Sequence, residues 1–571
     1  MPRLTRLLPA LLLLCLAARS WGSDAPTRAW MDDLGTLATQ DGGRVMPLET
    51  YARRLAVNVT GRERWSTGRG PKAYAGREPM ELLCDLMFKG DALLSEPLVG
   101  VVNKPFKRAV GLDPDREFFS ATELASTKGL MELIGTYQAA RAKDPQFQAS
   151  QDQRRAIDIF NATNRMAALT AGDPLPLVPQ GPGKEFLGAS TSRAAPGAEP
   201  VRDALTALAD AYKRGADGAD AVNKLRSALA GAGTLDEQDA RSVRLEVFYD
   251  RHAPWRKTQV LYGLAILAFG VSRLAARKPL VVAAILLTLA GVAEHALGIG
   301  LRVAILHRAP VSNTFESLLW MGLVGIAVGA VAQLLSRKSY YLFGGVCAAF
   351  ASVLFAGLVP LTDRTNSLPA VLRSNYWLTV HVLTIVASYG VLAVAAVLGH
   401  VYLIREVLLA KTPAPATGTK LSHPLILQTY RTIQVGLFLL TAGTILGGVW
   451  AADSWGRFWG WDPKETWALI SIVVYFSVLH ARYIKWLQDF GLAAWAVLGF
   501  VAIVWTFYGV NYVMATGLHS YGFGSGGEVW VALWAVAEIA LLLACKWKHS
   551  GARAAAARAQ GQTPAPAQPT P

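Results

Sequence analysis

Residues 431–486 read RTIQVGLFLLTAGTILGGVWAADSWGRFWGWDPKETWALISIVVYFSVLHARYIKW. Two apolar runs, 431–452 and 467–486, each have about the 20 residues that an α-helix needs to cross a bilayer. The segment between and flanking them, 450–467, holds Trp450, Trp455, Trp459, Trp461 and Trp467. Two such runs joined by a short link read as a transmembrane helical hairpin, and that decides the fold class. Outward from the hairpin the same kind of run recurs at 258–275, 279–297, 315–335, 340–361, 377–403, 492–514 and 529–546, which makes nine. The expectation is an all-α polytopic integral membrane protein of about nine transmembrane helices, with an N-terminal, mainly helical extracytoplasmic domain.

Composition agrees. Of 571 residues only 17% are charged, against roughly 25% in a soluble globular chain. The deficit is local: 23–256 is rich in charge, whereas 257–546 is almost continuously apolar. This excludes a single soluble domain, a disordered chain and a disulfide scaffold. The 56 basic and 41 acidic residues leave a net charge of +15. That excess reads as a topology signal rather than a nucleic-acid footprint, because basic residues collect at cytoplasmic span ends. With residue 256 outside, nine spans place the C-terminus inside. Arg273, Arg277, Lys278, Arg337, Lys338, Arg405, Arg482 and Lys485 then fall at inner ends.

Four segments follow. Residues 1–22 form a signal peptide or a short anchor: Arg3 and Arg6 precede an apolar run, Leu7–Ala18, too short to span. Residues 23–256 form the extracytoplasmic domain, with helices expected at Leu130–Ala142, Arg154–Leu169 and Val201–Leu229. Within it Asp173–Pro200 reads as a flexible connection, and Gln40–Arg53 as a turn, a proline and a helix start. Residues 257–546 form the membrane domain, and 547–571 a disordered cytoplasmic tail. The four cysteines contain no CxxC pair, so zinc and thiol-redox roles are not expected.

An interfacial aromatic belt accounts for one or two tryptophans per helix end, not for Trp459 and Trp461 around a glycine. The 450–467 segment reads as a flat-walled platform for a large planar ligand, with Asp462, Lys464 and Glu465 fixing the loop. Asp462-Pro463 reads as an N-cap followed by proline at the first helical position. WGRFWGWDPKETWALI resembles the tryptophan-rich WWD signature of haem-handling membrane proteins of cytochrome c maturation. Its continuation to Leu479-His480-Ala481-Arg482 resembles the CcsA (ResC) branch, as does Arg302…Arg308-Ala-Pro-Val-Ser-Asn313-Thr-Phe-Glu316-Ser317. The likeness covers about 290–545.

The resemblance implies a System II cytochrome c synthase of the bacterial inner membrane. Such a protein, with a ResB-type (CcsB) partner, exports haem b and joins its vinyl groups to the CxxCH thiols of apocytochrome c. A thioredoxin-like thiol reductant is a further implied partner. Trp455, Trp459, Trp461 and Asp462 are the expected presenting residues, with Trp450 and Trp467 also against the haem. Two other functions stay open: a haem transporter or chaperone serving a separate lyase, and a non-haem secondary transporter built on intramembrane carboxylates such as Glu294 and Glu538.

The histidines sort by depth. His381 sits four residues into its span near the outer face, and His519 follows the eighth span in the outer loop. The resemblance implies that this pair holds haem iron beside the tryptophan segment. His480 lies 13 residues after Trp467, hence roughly 20 Å further in at a helical rise of about 1.5 Å per residue. It matches the family's transmembrane haem ligand. One haem cannot bridge both depths, so two haem positions are expected. The second inner ligand comes either from a ResB-like protein or from His400, which lies five residues before Arg405. His295 and His307 are competitors for the outer site; His252, His423 and His549 lie outside the spans. Arg302, Arg308 or Lys464 are candidates to neutralise haem propionates.

Overall fold

The computed structural model describes residues 29–559 except 63–73, 75–76, 145–146, 148, 173–174, 182, 189–197, 276–277, 338–339, 359–375, 410–423 and 515–527. His423 and His519 are therefore outside the described residues.

The N-terminal part contains helices α1 (Ala29–Gly35), α2 (Leu48–Thr60), α3 (Pro79–Phe88), α4 (Lys104–Val110), α5 (Ala121–Ser126), α6 (Lys128–Lys143), α7 (Gln151–Thr170), α8 (Glu199–Lys213), α9 (Ala219–Ala232) and α10 (Glu237–His252). The three expected helical stretches are α6, α7 and the pair α8–α9. The pair is broken at Gly215, whose φ of 65° ends the first helix. Two small antiparallel sheets were not expected: β1 (Ala38–Asp41) with β2 (Arg44–Pro47), and β3 (Pro97–Gly100) with β4 (Phe118–Ser120). Strands of three or four residues are too short for alternation to register in the sequence. The turn read at Gln40–Arg53 is the β1–β2 hairpin, with Gly42 and Gly43 both at positive φ. Pro47 precedes α2, as the reading required. A single core runs through Trp30, Met46, Leu55, Phe119, Met166 and Leu208. Leu175, Leu177 and Val178 join that core, and Val178 pairs with Leu187. The described part of Asp173–Pro200 is thus packed, a correction to the flexible connection. Its apolar residues outweigh its prolines and glycines.

The remaining helices are α11 (Pro254–Ala275), α12 (Lys278–Leu306), α13 (Thr314–Ser336), α14 (Tyr340–Leu358), α15 (Tyr376–Tyr402), α16 (Pro424–Trp455), α17 (Pro463–Tyr483), α18 (Asp489–Val504) and α19 (Glu528–Ala559). They fall on the nine expected runs. Among the described residues, eight helices are long and apolar enough to cross a membrane, and α11 is not one of the eight. The last helix runs to Ala559, past the boundary at 546, so the first part of the expected tail is helical. GARAAAARA is alanine-rich, and alanine and arginine favour helix.

Helix α15 forms the centre. Its apolar window is 72% buried against 11% for α19, and it packs on α13, α14, α16 and α18. Small residues permit this. A Cβ on Gly390 would lie 2.4 Å from the Met321 carbonyl oxygen, and one on Gly399 2.8 Å from that of Ala493. Helices in lipid gain little from hydrophobic exclusion and associate by such close approach. π-helical turns follow α15 (Leu403–Leu408) and α18 (Trp505–Met514).

The N-terminal domain meets the bundle along α10, which packs on α12. His252 Nε2 lies 2.8 Å from Glu294 Oε2, and Ser242 Oγ 3.1 Å from His307 Nε2. Arg302 donates to the Tyr249 hydroxyl at 3.2 Å and to Glu316 at 2.8 Å. Both Arg302 and Glu316 are buried.

Candidate functional site

The loop between α16 and α17 is built by its own polar residues. Asp462 caps α17: its Oδ1 accepts from the Lys464 amide at 2.9 Å, and Pro463 follows at the first helical position. Glu465 reaches back to accept from the Asp462 amide at 3.2 Å and the Gly460 amide at 2.8 Å. This is a capping box, which satisfies amides that a helix start leaves without intrahelical partners. Arg457 closes the loop on Glu465 at 3.4 Å. The sequence reading of Asp462 and Glu465 as loop-fixing residues is what the geometry shows.

The tryptophans divide their tasks. Trp450 is buried and packs against Trp455, ring centroids 4.5 Å apart. Trp459 meets Trp461 edge-on at 5.8 Å, and Trp461 is 68% exposed. Trp467 packs on Trp505 at 5.7 Å. A cleft of about 510 Å³, open solvent included, lies beside the loop; it is lined by His381, Ile385, Tyr389, Thr444, Gly447, Gly448, Phe458, Trp459, Lys464, Glu465 and Ala468. Of the three tryptophans expected as walls, only Trp459 lines this cleft. Trp455 buttresses the loop through Trp450, and Trp461 faces outward. Phe458 and Tyr389 add further aromatic lining.

His381 projects from α15 into the cleft. Its Nδ1 donates to the Gly443 carbonyl at 2.7 Å. In the neutral ring Nε2 then holds the lone pair, the arrangement by which a second partner orients a metal-ligating histidine. The glycines of α16 make room. A Cβ on Gly447 would lie 2.7 Å from His381 Cε1, one on Gly448 2.6 Å from Phe458, and one on Gly443 2.9 Å from the Ile385 backbone. Nothing in the sequence of this apolar run shows which neighbour its glycines admit.

The other histidines are elsewhere. His480 lies on the exposed side of α17, with Nδ1 2.9 Å from the Phe476 carbonyl and its ring against Phe476 at 4.5 Å. His400 has both ring nitrogens engaged, Nδ1 with the Ala396 carbonyl at 2.8 Å and Nε2 with Glu538 Oε2 at 2.7 Å. It joins α15 to α19. Glu538 sits at the same depth and satisfies it. His295 is buried in the core between the Tyr262 hydroxyl, 3.2 Å, and the Leu319 carbonyl, 3.0 Å, and His307 is held by Ser242; neither lines the cleft. Arg302 and Arg308 both face Glu316, at 2.8 and 3.6 Å, and neither lines the cleft. Lys464 alone of the three lines the cleft, and its Nζ donates to Asn511 Oδ1 at 2.9 Å. Asn511 went unread in the sequence because the π-helical turn Trp505–Met514 that carries it gives no apolar-period signal.

Comparison with known proteins places these residues in context. A family model described as Cytochrome C assembly protein matches residues 311–519, which include the cleft. Protein NrfI of Wolinella succinogenes is 39% identical over 243 residues, 41% of this chain and 25% of its own length. Cytochrome c biogenesis protein CcsA of Gloeobacter violaceus is 32% identical over 270 residues, 38% of this chain and 79% of its own length. The CcsA of Guillardia theta is 37% identical over 236 residues, 37% of this chain and 76% of its own. The chain thus matches a quarter of NrfI and about three quarters of these CcsA proteins.

Proposed function

The chain belongs to the CcsA family of cytochrome c biogenesis proteins, and from that premise we propose that it attaches haem covalently to apocytochrome c. It is a membrane protein of cytochrome c maturation, whose proteins handle haem. In our reading, haem b is substrate, and the cleft receives it on the extracytoplasmic side of the bacterial inner membrane. Residues 23–256 lie on the same side as an accessory domain docked through α10; the C-terminus is cytoplasmic. His381 and His519 supply axial ligands there. His480 holds haem nearer the other leaflet, facing a ligand from a ResB-like subunit of a System II synthase.

The reaction is an addition. A cysteine sulfur of CxxCH bonds to the vinyl α-carbon, and the thiol hydrogen ends on the β-carbon. No oxidant is consumed and no cysteine of this chain takes part. A thioredoxin-like protein keeps the substrate thiols reduced. This chain's residues position the reactants: Trp459 and Phe458 cover a face of the macrocycle, Asp462 and Glu465 hold the loop that carries them, and exposed Trp461 meets the incoming polypeptide.

The observation that supports this most is His381, fixed by Gly443 at the wall of a cleft beside Trp459. The test is co-expression of the His381→Ala, His519→Ala double variant with an apocytochrome, scored by covalent haem staining. We expect no holocytochrome; normal maturation would sink the assignment.

A further inference from the structure

We infer that Lys464 is the anchor for a carboxylate of the planar ligand, so that the cleft selects tetrapyrroles whose propionate is unesterified. The inference deepens the haem reading above and rests on it.

Lys464 is held at the second position of α17, where the Asp462 and Glu465 capping box fixes the backbone. Its side chain lines the same cleft as His381 and Trp459. An ammonium carries three protons to donate. The partner found for Nζ is a neutral one, Asn511 Oδ1 at 2.9 Å. Among the described residues no carboxylate lies within 4 Å of it. The two acids nearest in sequence do not bond the ammonium directly: Asp462, whose charge still acts on it, accepts from the Lys464 backbone amide, and Glu465 accepts from the Gly460 and Asp462 amides and faces Arg457.

A cation against apolar walls carries a desolvation cost that a bound anion offsets. Asn511 is itself buried and restrained, its Nδ2 donating to the Phe507 carbonyl at 2.9 Å. It therefore holds the ammonium without neutralising it. A histidine nitrogen, an aromatic wall and a cation with no direct carboxylate contact in one cleft match a metallated, flat, apolar ring with a carboxylate on its edge. Arg302 and Arg308 differ because they share Glu316 and do not line the cleft.

The test separates the carboxylate from the iron. Full-length protein in detergent is titrated with metal-free protoporphyrin and with its dimethyl ester, and tryptophan quenching is followed. The wild-type protein is expected to bind the free acid about tenfold more tightly than the ester, the size of one charge-assisted hydrogen bond. Lys464→Gln is expected to abolish that preference while ester binding stays as in wild type. Lys464→Arg, which keeps the charge and controls for folding, is expected to retain it. A preference that survives Lys464→Gln would overturn the anchor and leave the haem reading standing. Failure of both porphyrins to bind the wild-type protein would overturn both.

Discussion

His381 and His480 both project from long apolar helices, and their surroundings differ in kind. His381 is enclosed by three helices: its own α15, the glycines of α16 and the start of α17. Among the described residues His480 has partners only on its own helix, Phe476 by hydrogen bond and by ring contact. Around it Val473, Phe476, Tyr483 and Trp486 are exposed, Trp486 to 81%. The cleft is walled by several helices of this chain, whereas the described surroundings of His480 come from one helix. An ionisable side chain facing hydrocarbon is costly, so the flank of α17 calls for a covering surface in a way that the cleft does not. This supports the proposed ResB-like partner at the His480 flank and a self-sufficient cleft at the tryptophan loop.

The contrast breaks most sharply at His381. Replacing it with alanine should lower covalent haem attachment by about 100-fold or more, the upper range for losses at a metal site. Haem staining of a co-expressed cytochrome measures it. His480→Ala should reduce the same product but leave protoporphyrin binding at the cleft unchanged. If both variants lose porphyrin binding equally, the two sites are not separate.

Gly447→Ala asks whether the cleft works by shape. Its Cβ would sit 2.7 Å from His381 Cε1, so the ring must turn away from the Gly443 carbonyl. Maturation should fall about 10-fold with the haem absorption bands shifted, the scale at which misoriented ligands act. Wild-type spectra and activity would show that the ring's position has latitude. Asp462→Ala is gentler. Losing one N-cap costs about 1 kcal/mol, which should appear as faster amide exchange at 464–466 and a drop of a few-fold in maturation. An unchanged exchange rate there would mean that Glu465 and Arg457 hold the loop without the cap.

What could be read beforehand follows from the same physics. The apolar runs, the Asp462 cap and the helices α6 and α7 are local patterns, and the structure carries them. Which residues line the cleft is not local. Helices that are apolar all round offer no preferred face, so nothing in the run 431–452 distinguished Gly443 and Gly447 from other small residues. The tryptophans misled in the other direction. Their density marked the site, but their individual roles depend on the turn at Trp461, whose φ is 57°, and on Phe458, which takes a wall that Trp455 was expected to form. Arg302 read as a candidate partner for a haem propionate, and its acid, Glu316, is 14 residues away on the next helix.

His400 supplies the smallest expected effect and the sharpest check on the contrast between His381 and His480. It and Glu538 form a polar link at 2.7 Å between the central helix and α19, whose own apolar window is mostly exposed. Lys548 donating to the Leu408 carbonyl, 2.5 Å, and His549 stacked on Phe490 at 4.5 Å hold the far end of the same helix. His400→Gln can keep a hydrogen bond to Glu538, and polar contacts between membrane helices are worth only about 0.6 kcal/mol on average. Maturation should therefore fall by less than about threefold, with an unaltered haem spectrum and a slightly lower melting temperature in detergent. A loss as deep as that of His480→Ala, accompanied by a changed spectrum, would mean that the pair with Glu538 opens to release an imidazole to haem. The flank of α17 would then find its missing ligand within this chain.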